Sequence, residues 1–178
     1  MDIISAIQQK CRNQSWYGPQ MGQYLTKMRS QHRWESTFSC APATEEQLRV
    51  TEQALGYPLP PLLKNLYMQI ANGGFGPGYG LRGALGGYST GETIVEYYVS
   101  LGSIPSNYKE YEKTFEFSSE AWPSSLLPLC PMGCGVEICL SSTGMVYRVG
   151  PAHEDLNYIA HAVFPSLESW LENWLTSN

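Results

Sequence analysis

The sequence predicts an α+β fold: two helices joined by a corner, a group of short antiparallel strands, then a closing helix, in one chain of 178 residues. Apolar residues recur at helical spacing on both sides of the corner Leu55-Gly56-Tyr57-Pro58-Leu59-Pro60-Pro61. Leu127–Leu129, Val136–Leu140 and Met145–Val149 are short runs of strand formers lying close together. Leu167, Trp170, Leu171, Trp174 and Leu175 then form a complete amphipathic stripe. Helices followed by strands, rather than alternating with them, indicate α+β and not a parallel α/β sheet.

The first helix of the hairpin has local causes. Thr44 caps it, and Gln47 stands at the capping-box spacing. Glu45 and Glu46 place negative charge at the positive end of the helix dipole. Leu48, Thr51 and Leu55 share one face, and Gly56 suits the left-handed position just past the end. The second helix starts at Pro60 or Pro61, because proline is tolerated in a first turn. Leu63, Leu66, Tyr67 and Ile70 follow at helical spacing, and Asn72-Gly73 stops the helix.

Ahead of the hairpin, residues 3–12 read as a short helix through Ile3, Ile4, Ile7 and Cys11, broken by Trp16-Tyr17-Gly18-Pro19. Residues 20–34 read as a second helix through Met21, Tyr24, Leu25 and Met28. Residues 1–35 are thus expected as a helical extension packed on the core, and residues 36–178 as a single domain. Past the hairpin lies a glycine-rich loop, residues 73–91. Residues 92–101 have strand formers but also helical spacing, with Thr90 as a cap, and are read as a helix. Residues 102–121 read as a polar surface insertion, and 150–163 as a loop with room for a short helix. Ser141-Ser142-Thr143-Gly144 reads as a tight hairpin turn, and Ser166 as the cap of the closing helix.

Composition bounds the function. Seventeen glycines, twelve prolines and twelve tyrosines indicate a fold with many turns rather than a helical bundle. No apolar run is long enough to cross a membrane, and the first residues do not resemble a secretion signal, so the cytoplasm is expected. Five cysteines, an odd number, suit a reducing compartment. Residues 1–34 hold five basic residues against one acidic, a net +4, whereas the remainder holds six against fifteen, a net −9. An acidic body disfavours nucleic acid and favours encounter with basic proteins.

The residues invite three kinds of chemistry. The loop Gly73-Gly74-Phe75-Gly76-Pro77-Gly78-Tyr79-Gly80 is rich enough in glycine for a phosphate cradle. However, it leaves the negative end of a helix, and no Gly-Lys-Ser/Thr follows. It reads instead as a shaped loop that turns Phe75 or Tyr79 inward and leaves the other as an anchor for a partner. Cys130 and Cys134 form one C-x3-C pair, but it stands alone, without the second pair or the two histidines of structural zinc, and Cys139 lies on an expected strand, so no metal or other cofactor is expected. A thiol enzyme using Cys134, His153 or His161, and Glu137 or Asp155 has no local motif behind it.

The order helix, L-G-x-x-L-P, helix, N-G-G resembles the opening of the SUKH superfamily, which includes cell-wall-assembly regulators and bacterial toxin-immunity proteins. The likeness continues through Phe75–Leu81, Gly86-Gly87, Trp122-Pro123, Leu126–Cys130, Gly133-Cys134-Gly135 and Phe164–Leu171, over roughly residues 40–175. The chain departs from it at Ser141-Ser142, where many relatives carry aspartate, and at Met132, where an aromatic is common. The resemblance implies a helical hairpin and C-terminal helix packed on a small, curved antiparallel sheet. It also implies a non-catalytic protein-binding domain, foremost an immunity protein that covers a basic nuclease-type toxin, with a regulatory scaffold as the alternative. A small hydrolase or thiol enzyme is the alternative from a different class. Phe75, Tyr79, Arg82 and Glu137 are put forward as partner-binding residues. The expected partner is a protein, not nucleic acid or membrane, and the chain itself is expected to be a monomer or weak homodimer.

Overall fold

The computed structural model describes residues 2–12, 40–88, 94, 126–151 and 158–177. Among them are four helices, α1 (Ile3–Arg12), α2 (Glu45–Leu55), α3 (Pro61–Gln69) and α4 (Leu167–Thr176). Four strands, β1 (Leu126–Gly133), β2 (Val136–Ser141), β3 (Val146–Pro151) and β4 (Tyr158–Phe164), form one antiparallel sheet in the order β1-β2-β3-β4. This is the expected α+β arrangement, with a curved sheet.

The hairpin forms as its local chemistry directs. The Thr44 hydroxyl accepts from the Gln47 N–H, and the Gln47 side chain accepts from the Thr44 N–H, completing the capping box. Gly56 ends α2 at φ +80°, in the left-handed region. Leu48 and Leu55 are buried on the inner face, and so is Thr51. That polar member is satisfied twice: its hydroxyl donates to the Gln47 carbonyl and accepts from the Leu85 N–H. Pro61 opens α3, and Leu63, Leu66 and Tyr67 are fully buried.

One sheet face joins the main core through Leu127, Leu129, Ile138, Leu140 and Val146, packed with the helices. Leu126, Cys139 and Val149 form a smaller cluster. Strand β1 contains Pro128 and Pro131, which cannot donate to a ladder and therefore suit an edge strand. Its register with β2 shifts between Pro128 and Cys130 and again between Pro131 and Gly133. The β2–β3 turn is the expected one, with Gly144 at φ +86° and its N–H donating to the Ser141 carbonyl.

The segment expected to be a loop at 150–163 contains a strand. Residues 158–164 pair along β3 from Pro151↔Tyr158 to Val146↔Phe164. Its sequence lacks the alternation that marks a half-buried strand, and its two alanines are weak strand formers, so the pairing with β3 decides its state. Strand β1 is also longer than expected, because its prolines sit at an edge. The expected helix at 20–34 and the insertion at 102–121 lie outside the described residues. Of the expected helix at 92–101 only Ile94 lies inside, fully buried, with its N–H donating to the Gly83 carbonyl.

The first and last helices close on each other. Helix α1 packs against α3 and α4, with Ile7 and Cys11 fully buried. Ser166 caps α4 and accepts from the Ser169 N–H, as the sequence suggested. Trp170 is buried in the core, while Trp174 is only partly buried. Lys10 Nζ donates to the carbonyls of Trp174 (2.8 Å), Leu175 (3.2 Å) and Ser177 (2.8 Å). It also lies 5.0 Å from the Trp174 ring centroid. A lysine of the first helix therefore occupies the negative end of the last one. Lys10→Met keeps the stem and removes the charge. It should cost about 1–3 kcal/mol of unfolding free energy in urea titrations, whereas a surface lysine substitution stays within about 0.5 kcal/mol.

Candidate functional site

The glycine loop emerges from α3 and folds back on itself. The Gly74 N–H donates to the Leu81 carbonyl, and the Leu81 N–H donates to the Phe75 carbonyl. Gly73 stands at φ +83°, and a Cβ there would lie 2.5 Å from the Gly83 nitrogen and 2.7 Å from the Leu81 oxygen. Only glycine permits both the turn and that approach. Asn72, 2% exposed, organises the return: its side-chain oxygen accepts from the Ala84 N–H, and its backbone oxygen accepts from the Tyr88 N–H. The N–H groups of Gly73, Gly74, Tyr79, Gly80, Leu81, Arg82 and Gly83 all donate to backbone carbonyls. A phosphate cradle needs such groups aimed outward at the ligand, and here they are spent inside the protein.

The loop is fastened to the sheet. The Arg82 N–H donates to the Leu129 carbonyl and the Tyr79 N–H to the Pro131 carbonyl, so the loop runs along the outer side of β1. The Arg82 carbonyl accepts from the Tyr67 hydroxyl, whose pKa is pushed up by burial. The Arg82 guanidinium grips Glu137 of β2 through two bonds, Nη1 to Oε2 at 2.6 Å and Nη2 to Oε1 at 3.0 Å. Arg82 is 5% exposed and Glu137 9%.

The four residues expected to bind a partner lie in different surroundings. Phe75 is fully buried in the main core, which answers which aromatic turns inward. Arg82 and Glu137 are brought together but buried on each other, so their charges face inward rather than toward a partner. Tyr79 stays partly exposed and lies over the β1–β2 turn, near the site a Cβ on Gly133 would occupy.

The sequence did not disclose a groove of about 770 Å³ among the described residues. Its walls are the proline corner Tyr57–Pro61 with Met68 of α3 on one side, and Leu140 with the turn Ser141–Gly144 on the other. A neighbouring hollow of about 580 Å³ shares Lys64 and Met68 and is lined by Glu45, Glu46 and Glu52. Glu52 sets the corner by accepting from the Leu59 N–H at 2.8 Å while it pairs with Lys64 at 3.0 Å. Ser141 accepts from the Met145 N–H and shares a hydrogen bond with Thr143, so it closes the hairpin turn locally. The groove was hidden because its two walls are more than seventy residues apart in the chain.

The cysteines do not converge. Burial pushes the Cys11 and Cys130 thiols up to about 12 and raises Cys139 further, the reverse of what a nucleophilic thiol needs. Cys130 donates to the Pro77 carbonyl at 3.0 Å. Cys134 is exposed at the β1–β2 turn, at φ +52°. His161 is on β4, two strands from the strand that follows Cys134, and His153 and Asp155 lie outside the described residues. Among the described residues no group of three or more His, Cys, Asp or Glu is placed to hold a metal ion, and no helix is long and apolar enough to cross a membrane.

The described elements define an α+β domain in which a glycine loop is clamped across one edge of an antiparallel sheet by a buried ion pair. The chain belongs to the SMI1/KNR4 family (SUKH-1), whose model matches residues 42–173. No curated protein matches it. The match leaves α1 outside its bounds and includes every other described helix except the last residues of α4.

Removing either member of the buried pair strands the other in the interior. Arg82→Ala or Glu137→Ala should each cost about 3–5 kcal/mol in chemical denaturation. The double substitution should cost less than the two added together, giving a coupling of at least about 1 kcal/mol. Thiol labelling of the folded protein gives a second check. Iodoacetamide near pH 8 should modify Cys134 well ahead of Cys11, Cys130 and Cys139, as read by peptide mass spectrometry, and all five cysteines should react once the chain is unfolded.

Proposed function

We propose that this chain is a protein-binding domain of the toxin-immunity kind, which neutralises a basic, nuclease-type polypeptide by covering its catalytic cleft. The observation that carries this reading is membership of the SUKH-1 family over residues 42–173. The net −9 of residues 35–178 supports it, because an acidic surface draws a basic partner and competes with its anionic substrate. An apolar side chain of the partner sits in the groove between Met68 and Leu140, where a concave apolar surface removes it from water. Tyr79, the loop aromatic left partly exposed, adds a rim contact. The domain works in the cytoplasm as a rigid body, and occlusion needs no reacting group of its own.

The test is binding to the polypeptide encoded beside this chain, followed by calorimetry at rising salt. A partner of this kind should bind tightly and lose affinity steadily as salt rises. Met68→Glu, at an exposed position in the groove wall, should weaken binding about tenfold or more while leaving thermal stability nearly unchanged. Tyr79→Ala should have a smaller effect. Co-expression should protect cells from that polypeptide. Binding that ignores both salt and Met68→Glu would count against the reading, and so would a neighbour that is harmless to cells.

A further inference from the structure

Among the asparagines of the chain, Asn72 alone is followed by glycine. In such a pair the glycine nitrogen can attack the asparagine side chain, because no Cβ on the second residue hinders the approach. The Gly73 nitrogen gives up its proton to base and bonds to Asn72 Cγ. The Cγ–Nδ2 bond breaks, and ammonia leaves. Water then opens the resulting five-membered imide at one of its two carbonyls. One product is aspartate. The other, isoaspartate, routes the main chain through the side chain and lengthens it by one carbon.

The fold obstructs each step. Asn72 is 2% exposed, which keeps base and water from it. The attacking nitrogen is engaged, since the Gly73 N–H donates to the Ala71 carbonyl at 2.8 Å. The side chain under attack is fixed, with Oδ1 accepting from the Ala84 N–H at 2.7 Å. The Asn72 backbone is held on both sides, by its N–H on the Ala41 carbonyl and by its own carbonyl on the Tyr88 N–H. The products do not fit the closed loop. Asn72 Nδ2 has no hydrogen-bond partner among the described residues. Aspartate puts a carboxylate oxygen there, an ion held out of water with little to satisfy it. Isoaspartate displaces the backbone groups that bond Ala41 and Tyr88.

We propose that Asn72-Gly73 is a modification site gated by conformation: protected while the glycine loop is closed, deamidated through the imide once the loop opens, and unable to close again afterwards. The rate of such a reaction follows the population of the open form. The loop that Asn72 organises also carries Arg82, so a chain open at this junction has lost the footing of its buried ion pair. Loss of ammonia makes the mark one-way. The modification therefore distinguishes chains that have opened from those that have stayed folded.

Peptide mass spectrometry of the full chain, held in mild alkali with and without guanidinium, tests this. In guanidinium Asn72 should deamidate ahead of every other asparagine. In the folded chain it should do so at least about tenfold more slowly. A synthetic peptide of residues 69–77, run in the same two solvents, corrects for any effect of guanidinium itself. After the denaturant is diluted, unmodified chains should regain resistance to proteolysis, and modified ones should not. Asn72→Asp, which supplies the aspartate product directly, should melt at least about 5 °C below the wild type or fail to fold. Equal rates in the folded and unfolded chain overturn the proposal. So does a modified fraction that recovers protease resistance with the rest, or an Asn72→Asp chain as stable as the wild type.

Discussion

The guanidinium of Arg82 and the carboxylate of Glu137 are both out of water, and that condition constrains the parts around them. Each ion loses several kcal/mol of hydration on burial, recovered only when the geometry is close and the remaining donors and acceptors are satisfied. The two-bond contact meets the first requirement. It holds only if the loop bearing Arg82 and the strand bearing Glu137 are both fixed. Arg82 is held at both backbone ends, by its N–H on Leu129 and by its carbonyl under the Tyr67 hydroxyl. The approach of Gly73 to Gly83, the inward turn of Phe75 and the Asn72 bonds complete the fixing. The glycines thus serve a charge pair rather than a phosphate.

What was legible in the sequence was local. Thr44 with Gln47, Gly56, Pro61 and Ser166 each act within one helical turn of themselves, and each stands where its residue type suggested. The stripe at 167–175 was legible for the same reason, although it could not show that Trp170 would be buried and Trp174 left half-open against Lys10. What was not legible depends on partners far along the chain. Arg82 and Glu137 are 55 residues apart, so their charges looked available for a partner until the fold brought them together. Strand β4 owes its state to pairing with β3, and its alanine-rich sequence gave little sign of it. The groove joins a proline corner to a distant hairpin turn, and no spacing within either one encodes the other.

The ends of the chain follow the same logic. The family match begins at residue 42, yet α1 buries Ile7 and Cys11 against elements inside that match. Lys10 reaches carbonyls more than 160 residues away. An ammonium at the C-terminal end of a helix satisfies carbonyls that the helix itself leaves open. A boundary drawn from sequence likeness therefore differs from one drawn from packing. Helix α1 contributes core to the domain, whatever its status within the family.

Nearly every demanding group in the described interior is committed inward. The loop N–H groups are bonded to carbonyls, the buried ions to each other, and three thiols are held protonated by burial. Such a frame resists deformation, because loosening one contact exposes an unsatisfied polar group rather than a tolerant apolar one. The features left facing outward are of a different kind: a groove between the proline corner and a hairpin turn, and a half-exposed tyrosine. A rigid interior with permissive surfaces lets one scaffold hold its shape while the surface that meets a partner varies.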